Sequence, residues 1–341
     1  MKRTHLSLRK AGSFSKMFLD YIEGQDALKE FYEWEPKIES FQSAITNKAF
    51  SPTKRKTLIN ALERQYDSLN CASKLSENIQ SLSEARTFTV TTGHQLNIFT
   101  GPLYFLFKLI TTINLSKKLK VHYPDYHFIP VYWMATEDHD FEEISYFNMF
   151  GKKYQWTTEQ TGAVGRFDPS SLAEVLDHVR ENVELFEKAY GRFETLADSV
   201  RFYVNELFGS EGLMVVDGDD RQLKAQFAPI MKDDILHKNA YQRVKQTNEQ
   251  LLDLGYKSFK FFPAQSAGGI NYLKSLSGPF PDIFFCPTGG INAENATKWL
   301  QQKNVICVGG SWIVPSETTD DKEITNRALF ASQLFKQIPN L

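Results

Sequence analysis

Residues 93–104 read Gly93-His94-Gln95-Leu96-Asn97-Ile98-Phe99-Thr100-Gly101-Pro102-Leu103-Tyr104, with Lys108 one helical turn later. A glycine-punctuated loop between a strand and a helix N-terminus turns backbone N–H groups and a positive dipole end toward an anion. His94 adds a group that transfers protons, and Lys108 a cation that compensates phosphate charge. Tyr104 and Lys108 are four residues apart and share one helix face. The same residues also describe a tight βα turn with a solvent-facing lysine, and local spacing does not separate the two readings.

A second group follows at Glu137-Asp138-His139-Asp140-Phe141-Glu142-Glu143, five acids and a histidine in seven positions. It comes directly after an apolar run of strand length, where ligands of open α/β sheets bind. Asp138, His139 and Asp140 are of the types that orient an amine, hold Mg²⁺ or act as a general base. Acidic residues also cap the next helix, but this density exceeds what a cap requires.

The elements that must position these groups follow from periodicity. Residues 15–85 place apolar side chains at spacings of three and four and predict helices. TFTVTT (87–92) and FIPVYWMA (128–135) predict strands, the second apolar enough for a buried parallel strand. Between them, Pro102 sits at a helix start, and Leu103, Leu106, Phe107, Ile110 and Ile113 recur on one helical face. The result is a right-handed βαβ unit. Residues 151–209 read as a mostly polar, helical insertion. GLMVVDGDD (212–220) predicts another buried strand with an acidic end, followed by helices at Arg221–Ile235 and Tyr241–Leu254. KSFKFFPA, DIFFCPTGG and NVICVGGSW predict three short strands, with helices at Gly269–Leu276, Ala293–Gln302 and Glu323–Gln337 between and after them.

The chain has 341 residues, 42% hydrophobic and 23% charged, the balance of a globular protein. A net charge of −2 offers no basic field for nucleic acid. Three cysteines, Cys71, Cys286 and Cys307, make a disulfide framework implausible and predict a reducing, cytoplasmic setting. The N-terminus lacks an apolar core of signal-peptide type, and Pro102–Ile113 is too short to span a bilayer and is broken by Lys108. No membrane association is expected.

GHQLNIFTGPLYFLFK followed by PVYWMATEDHDFEE resembles the Rossmann-like core of the BshC family, which adds cysteine in bacillithiol biosynthesis. The resemblance continues through TGAVGRF (161–167) to MVVDGDD (214–220) and the helix before Gly255. It implies amide formation between the carboxyl of L-cysteine and the amine of glucosaminyl-malate. The family's core in turn resembles HIGH-type nucleotidyltransferases, which implies a nucleotide, ATP or ADP, facing the GHQ…TGPLY loop. On this reading His94, Thr100 and Lys108 stabilise developing negative charge, while Glu137, Asp138 and Asp140 position or deprotonate the amine. Gly93, Gln95, Gly101, Tyr104 and His139 complete the substrate or nucleotide site. No metal ligand is assigned.

Lys257-Ser258-Phe259-Lys260-Phe261-Phe262-Pro263-Ala264 resembles the Schiff-base strand of 2-keto-3-deoxy-6-phosphogluconate (KDPG) aldolases, with Lys260 at the imine-forming position. Desolvation on an apolar strand would lower the pKa of such a lysine and make it nucleophilic. CPTGGIN (286–292) and VGGSW (308–312) resemble that family's next two strands. The resemblance implies that Thr288, Gly289, Gly290, Gly309, Gly310 and Ser311 cradle the phosphate of a 2-keto acid substrate.

The expected architecture is α/β: N-terminal helices (1–86), a Rossmann-like, nucleotidyltransferase-type core with its insertion (87–256), then a three-strand βα fragment resembling the end of a (β/α)8 barrel (257–341). The two resemblances meet at Leu254-Gly255-Tyr256-Lys257. Beyond it the remainder of a BshC core and its coiled coil are expected but not found. Before it, five βα units and an aldolase's Glu and Arg are likewise not found. The sequence therefore predicts a fusion of two truncated proteins. Its activity is expected to be an incomplete cysteine ligase, with a class I aldolase or an inactive chimera as alternatives. Open sheet edges predict self-association.

Overall fold

The computed structural model describes residues 6–12, 14–149, 151–179, 183–314 and 321–336. Met1–His5 and Gln337 of the readings above lie outside the described residues. The chain divides into two compact units, Pro36–His237 and Met1–Glu35 with Lys238–Leu341.

Among its described residues, Pro36–His237 contains β1 (Thr87–Gln95), β2 (His127–Ala135), β3 (Tyr146–Met149), β4 (Lys152–Gln155) and β5 (Met214–Asp217). β1, β2 and β5 form one parallel sheet in that order. β1 and β2 stay in register from Thr87↔His127 to Gln95↔Ala135. β2 is central and buried along most of its length, whereas β1 at the edge alternates, so the apolar run and the β-branched run reflect position in the sheet. Pro130 lies one residue before the β5 ladder begins at Val131, where its missing N–H costs no bond on that side. The outer edge of β5 is closed by α1 (Pro52–Tyr66), which starts on the Ser51 cap and Pro52. The N–H groups of Val215 and Asp217 donate to Tyr66 Oη (2.7 Å) and Gln65 Oε1 (3.0 Å). An edge that would otherwise be open is thereby satisfied.

The crossover helix α2 (Leu103–His122) buries Phe105, Leu109, Thr112, Ile113, Ser116 and Leu119. Its core face is therefore rotated from the expected one: Leu103, Phe107 and Ile110 are exposed. The helix is apolar on more than one side, and its buried stripe includes two hydroxyls. Each is satisfied by the carbonyl one turn back, Thr112 Oγ1 on Lys108 O (2.9 Å) and Ser116 Oγ on Thr112 O (3.0 Å).

The segment 151–209 also departs from expectation. It opens with β4, which pairs antiparallel with β3 and stacks Tyr154 on Phe147 at 5.0 Å. It ends in α3 (Leu196–Phe208), which buries Leu196, Ala197 and every residue from Ser199 to Asn205. This is core rather than a polar excursion: Val200, Tyr203 and Val204 join Ile129, Met134 and Val215 in one cluster. α4 (Arg221–His237) follows β5.

In the other unit, α5 (Asn239–Asp253) precedes β6 (Ser258–Phe261), which pairs in parallel with β7 (Phe284–Pro287). The third expected strand makes two isolated parallel bridges, Phe285↔Val305 and Thr288↔Gly309. The pairing offset grows by one residue between them, as at a bulge, so no continuous ladder forms. Phe261, Leu273, Phe285, Trp299 and Val305 share the core of this unit.

Candidate active site

The first two residue groups meet at the carboxyl edge of the parallel sheet. Gln95 closes β1 opposite Ala135, the last residue of β2. Its Nε2 donates to Asp138 Oδ2 at 2.9 Å and to Glu143 Oε2 at 2.8 Å. Burial pushes the Asp138 carboxyl up. The Asp140 N–H, the Gln95 amide and His139 outweigh it and hold Asp138 below the ordinary carboxylate range. Asp138 is thus ionised at neutral pH, an acceptor for an amine or ammonium.

His94 Nδ1 lies 2.9 Å from the Gln95 carbonyl, an oxygen that only accepts, so Nδ1 carries the proton and Nε2 presents a lone pair. Nε2 is buried without a partner among the described residues, and the ring packs 5.1 Å from both Tyr104 and Phe105. Burial lowers the His94 pKa, helped by the Lys108 charge and opposed by the Gln95 carbonyl. Lys108 itself is committed: Nζ donates to Gly93 O at 2.5 Å, 6.0 Å from the Tyr104 ring centre. Thr100 and Gly101 follow Phe99 in a left-handed run with φ of 64°, 54° and 52° respectively. For Phe99 and Thr100 that conformation costs on the order of 1–2 kcal/mol each. Phe99 is held in it by its N–H on Tyr190 Oη (2.8 Å), by stacking on Phe147 and by a tilted ring contact with Phe186.

Glu137 Oε2 is buried and unpartnered among the described residues. It lies beside Gly218, where a Cβ would come within 2.7 Å of it. His139 and Asp140 are exposed: His139 Nδ1 sits 3.1 Å from Glu137 O, and the Asp140 N–H donates to Asp138 Oδ1 at 2.9 Å. Among the described residues no three His, Cys, Asp or Glu side chains converge on a metal position, so the Mg²⁺ alternative gains no geometry.

The end of β5 supplies residues that the sequence reading did not place in the site. Thr136 Oγ1 bonds Asp217 Oδ1 and accepts the Asp219 N–H (2.9 Å). Asp217 Oδ2 faces Arg201, fully buried and also paired with Asp198 (2.5 Å). Asp219 is shared by Arg166 (2.6 Å) and Lys224. Burial pushes Asp219 up, but those two cations prevail and hold it low. Asp220 caps α4 through the N–H groups of Gln222 and Leu223, and Arg64 bonds its other oxygen at 3.2 Å. The acidic end of MVVDGDD and the arginine of TGAVGRF were the available signals. Only the fold shows that they meet.

The third group is arranged differently from expectation. Lys260 is exposed on β6, with Nζ 4.6 Å from the Phe262 ring centre. Among the described residues the apolar surround meant to activate it is missing, because the sheet face that a closed barrel would line is uncovered by them. The N–H groups of Thr288 and Gly309 are spent on Phe261 O (2.9 Å) and Pro287 O (2.9 Å), and are not free for a phosphate. Gly289 and Gly290 turn with positive φ. Thr288 Oγ1 is buried and unpartnered among the described residues. Gly310 lies against Trp312, and Ser311 is exposed.

Two protein families match the chain, over different and partly overlapping residues. The family profile for the N-terminal Rossmann-like domain of bacillithiol biosynthesis BshC matches residues 1–267. The chain belongs to the BshC family. The BshC protein of Flavobacterium johnsoniae, named a cysteine ligase, is 45% identical over 258 residues, 72% of this chain and 49% of that protein. That of Flavobacterium psychrophilum is 44% identical over 261 residues, 73% of this chain and 49% of its own length. The chain spans about half the length of these BshC relatives. A KDPG and KHG aldolase profile matches residues 243–327, overlapping the BshC match at 243–267, which brackets the expected junction. The 2-dehydro-3-deoxy-phosphogluconate aldolase of Pseudoalteromonas atlantica is 51% identical over 69 residues, 20% of this chain and 32% of that protein. A BshC sequence is thus joined to an aldolase segment. Among the described residues no helix is long and apolar enough to cross a membrane.

Proposed function

We propose that the unit Pro36–His237 carries cysteine-ligase chemistry, joining the carboxyl of L-cysteine to the amine of glucosaminyl-malate. The observation that carries this reading is the Gln95–Asp138 clamp, a carboxylate held ionised where β1 and β2 end together. The amine attacks only in its neutral form. Asp138 orients the incoming ammonium, and a lone pair such as that on His94 Nε2 takes its proton. Arg166 and Lys224, both on Asp219, stand at the end of β5 as cations for substrate carboxylates.

A free carboxylate is a poor acyl donor, and ATP or ADP fits the reading as the activating partner. The first turn of α2 has no side-chain cap, and Leu103 and Tyr104 are exposed there. The N–H groups of Leu103 and Tyr104, with the Thr100 hydroxyl, would hold the phosphates, while the Gly101 N–H is spent on Ile98 O (2.9 Å) and shapes the turn. A bound nucleotide supplies the leaving group that the carboxylate lacks. Lys108 would act through Gly93, whose carbonyl it fixes, rather than as a free cation.

The test is formation of the cysteinyl amide, followed by mass, from L-cysteine and glucosaminyl-malate with and without ATP or ADP. Turnover lost in His94→Ala and Asp138→Ala supports the reading. Unchanged turnover in both variants overturns the site, and no product from the folded parent chain overturns the activity.

A further inference from the structure

Lys260, Cys286 and Cys307 lie on three neighbouring parallel segments. The β6–β7 register pairs Lys260 with Cys286, and paired residues of adjacent strands project to the same face. On the other side of β7, the N–H of Ile306 donates to Phe285 O (3.1 Å) and that of Gly309 to Pro287 O (2.9 Å). These bonds set Cys307 beside Cys286. Both are free thiols, Cys286 partly buried and Cys307 exposed. Adjacent strands run about 4.8 Å apart, inside the span of roughly 4.4–6.8 Å between Cα atoms that a disulfide bridges.

We propose that Cys286 and Cys307 form a reversible dithiol site for low-molecular-weight disulfides, which closes to a cross-strand Cys286–Cys307 bridge. The exposed Cys307 thiolate attacks one sulfur of the small disulfide. That S–S bond breaks, a mixed disulfide forms on Cys307, and the first small thiolate leaves and takes up a proton. Cys286, as thiolate, then attacks the Cys307 sulfur and expels the second small thiolate, which is protonated in turn. The two protein thiols lose two electrons and two protons, and the small disulfide departs as two thiols.

The order of attack follows from the environment of each sulfur. Burial first, and the neighbouring Cys307 thiol, push the Cys286 thiol up to about 11, against the pull of Lys260. The Cys286 thiol is therefore little ionised near neutral pH and suits the second step, where it is already held against its target. Lys260 favours its thiolate. This site does not depend on the ligase reading, since all three residues lie in the aldolase-like segment.

The experiment is exposure of the reduced full-length chain to glutathione disulfide near neutral pH, followed by intact mass and peptide mapping. The expected product has lost two hydrogen atoms and links the Cys286 and Cys307 peptides. It should form about tenfold faster than any adduct at Cys71. In Cys286→Ser the reaction should stop at a glutathione adduct on Cys307, and in Cys307→Ser neither the bridge nor a fast adduct should form. Lys260→Met should slow bridge closure about threefold, as loss of a fraction of a pK unit would. Independent adducts on the cysteines without a bridge, a bridge to Cys71, or fast reaction of Cys286 in Cys307→Ser would overturn the proposal.

Discussion

Gln95 Nε2 holds Asp138 Oδ2 at 2.9 Å across the ends of two parallel strands, so one neutral amide fixes the carboxylate that the acidic turn presents. The same nitrogen reaches Glu143 at 2.8 Å. Two acids are thus drawn together by a side chain that adds no charge of its own.

Replacing that amide should be visible in titration. Gln95→Leu removes one of the groups that keep Asp138 low, and its pKa should rise toward the ordinary carboxylate range. Because the folded-state pKa is depressed, Asp138 contributes stability above the unfolded carboxylate value and loses it as pH falls through the folded value. The variant should therefore be less stable than the parent at neutral pH, with the difference closing in acid. Carboxyl NMR titration and urea melts at several pH values check both halves. An unmoved Asp138 would mean that the Asp140 N–H suffices.

Gly165 is packed where no side chain fits. A Cβ there would lie 2.6 Å from Thr136 Cβ and 2.7 Å from Thr136 O, and backbone cannot move aside cheaply. Gly165→Ala should cost about 1–3 kcal/mol in urea unfolding. It should also loosen the Thr136–Asp217 contact enough to raise amide exchange at Asp219, whose N–H that threonine accepts. Full stability with unchanged exchange would show that the TGAVGRF loop yields without consequence.

The three parallel strands of the Rossmann-like core were legible because two are compact apolar runs with acidic ends and the third, TFTVTT, is a run of β-branched and aromatic residues. The meeting of Gln95 with Asp138 was implicit in two strands ending together. The rotated face of α2 was not legible, since Leu103, Phe107 and Ile110 are as apolar as Phe105 and Leu109. Only packing decides between two hydrophobic stripes. The Asp219–Arg166 pair escaped because its members are 53 residues apart in separate loops. Lys260 shows the opposite failure. Its neighbours spelled a desolvated strand, but desolvation depends on strands that close over it, and among the described residues none does.

That exposure predicts the outcome of imine trapping. With pyruvate and borohydride, Lys260 should be modified no faster than the exposed Lys257 and Lys274, because all three amines stand in water and none has an enclosing pocket to hold the keto acid against it. Mass mapping of reduced adducts gives the comparison. Selective modification of Lys260, about tenfold or more above the other two, would show that the segment activates its lysine by a route other than burial.

The junction should be the first point of proteolytic attack. Leu254, Gly255, Lys257 and Ser258 are exposed, whereas residues 87–95 and 127–135 are paired in a continuous parallel ladder, the second of them the buried central strand. What holds the junction is the residue between: Tyr256 is buried, and its Oη donates to Asp20 Oδ2 at 2.8 Å. Asp20 is in turn bonded by Lys16 at 2.5 Å, and the lysine lies 4.8 Å from the Tyr256 ring centre. Cleavage at the junction requires this local contact to open first, and a hydrogen bond to a carboxylate is worth about 1.5–3 kcal/mol. Tyr256→Phe keeps the ring and removes the bond, so the first cut near Leu254–Ser258 should accelerate on the order of tenfold while the rate within 87–135 stays fixed. Timed digestion with mass assignment of the fragments reads both rates. Initial cleavage inside β1 or β2, or an unchanged rate in the variant, would show that Tyr256 and Asp20 do not govern the opening of this segment.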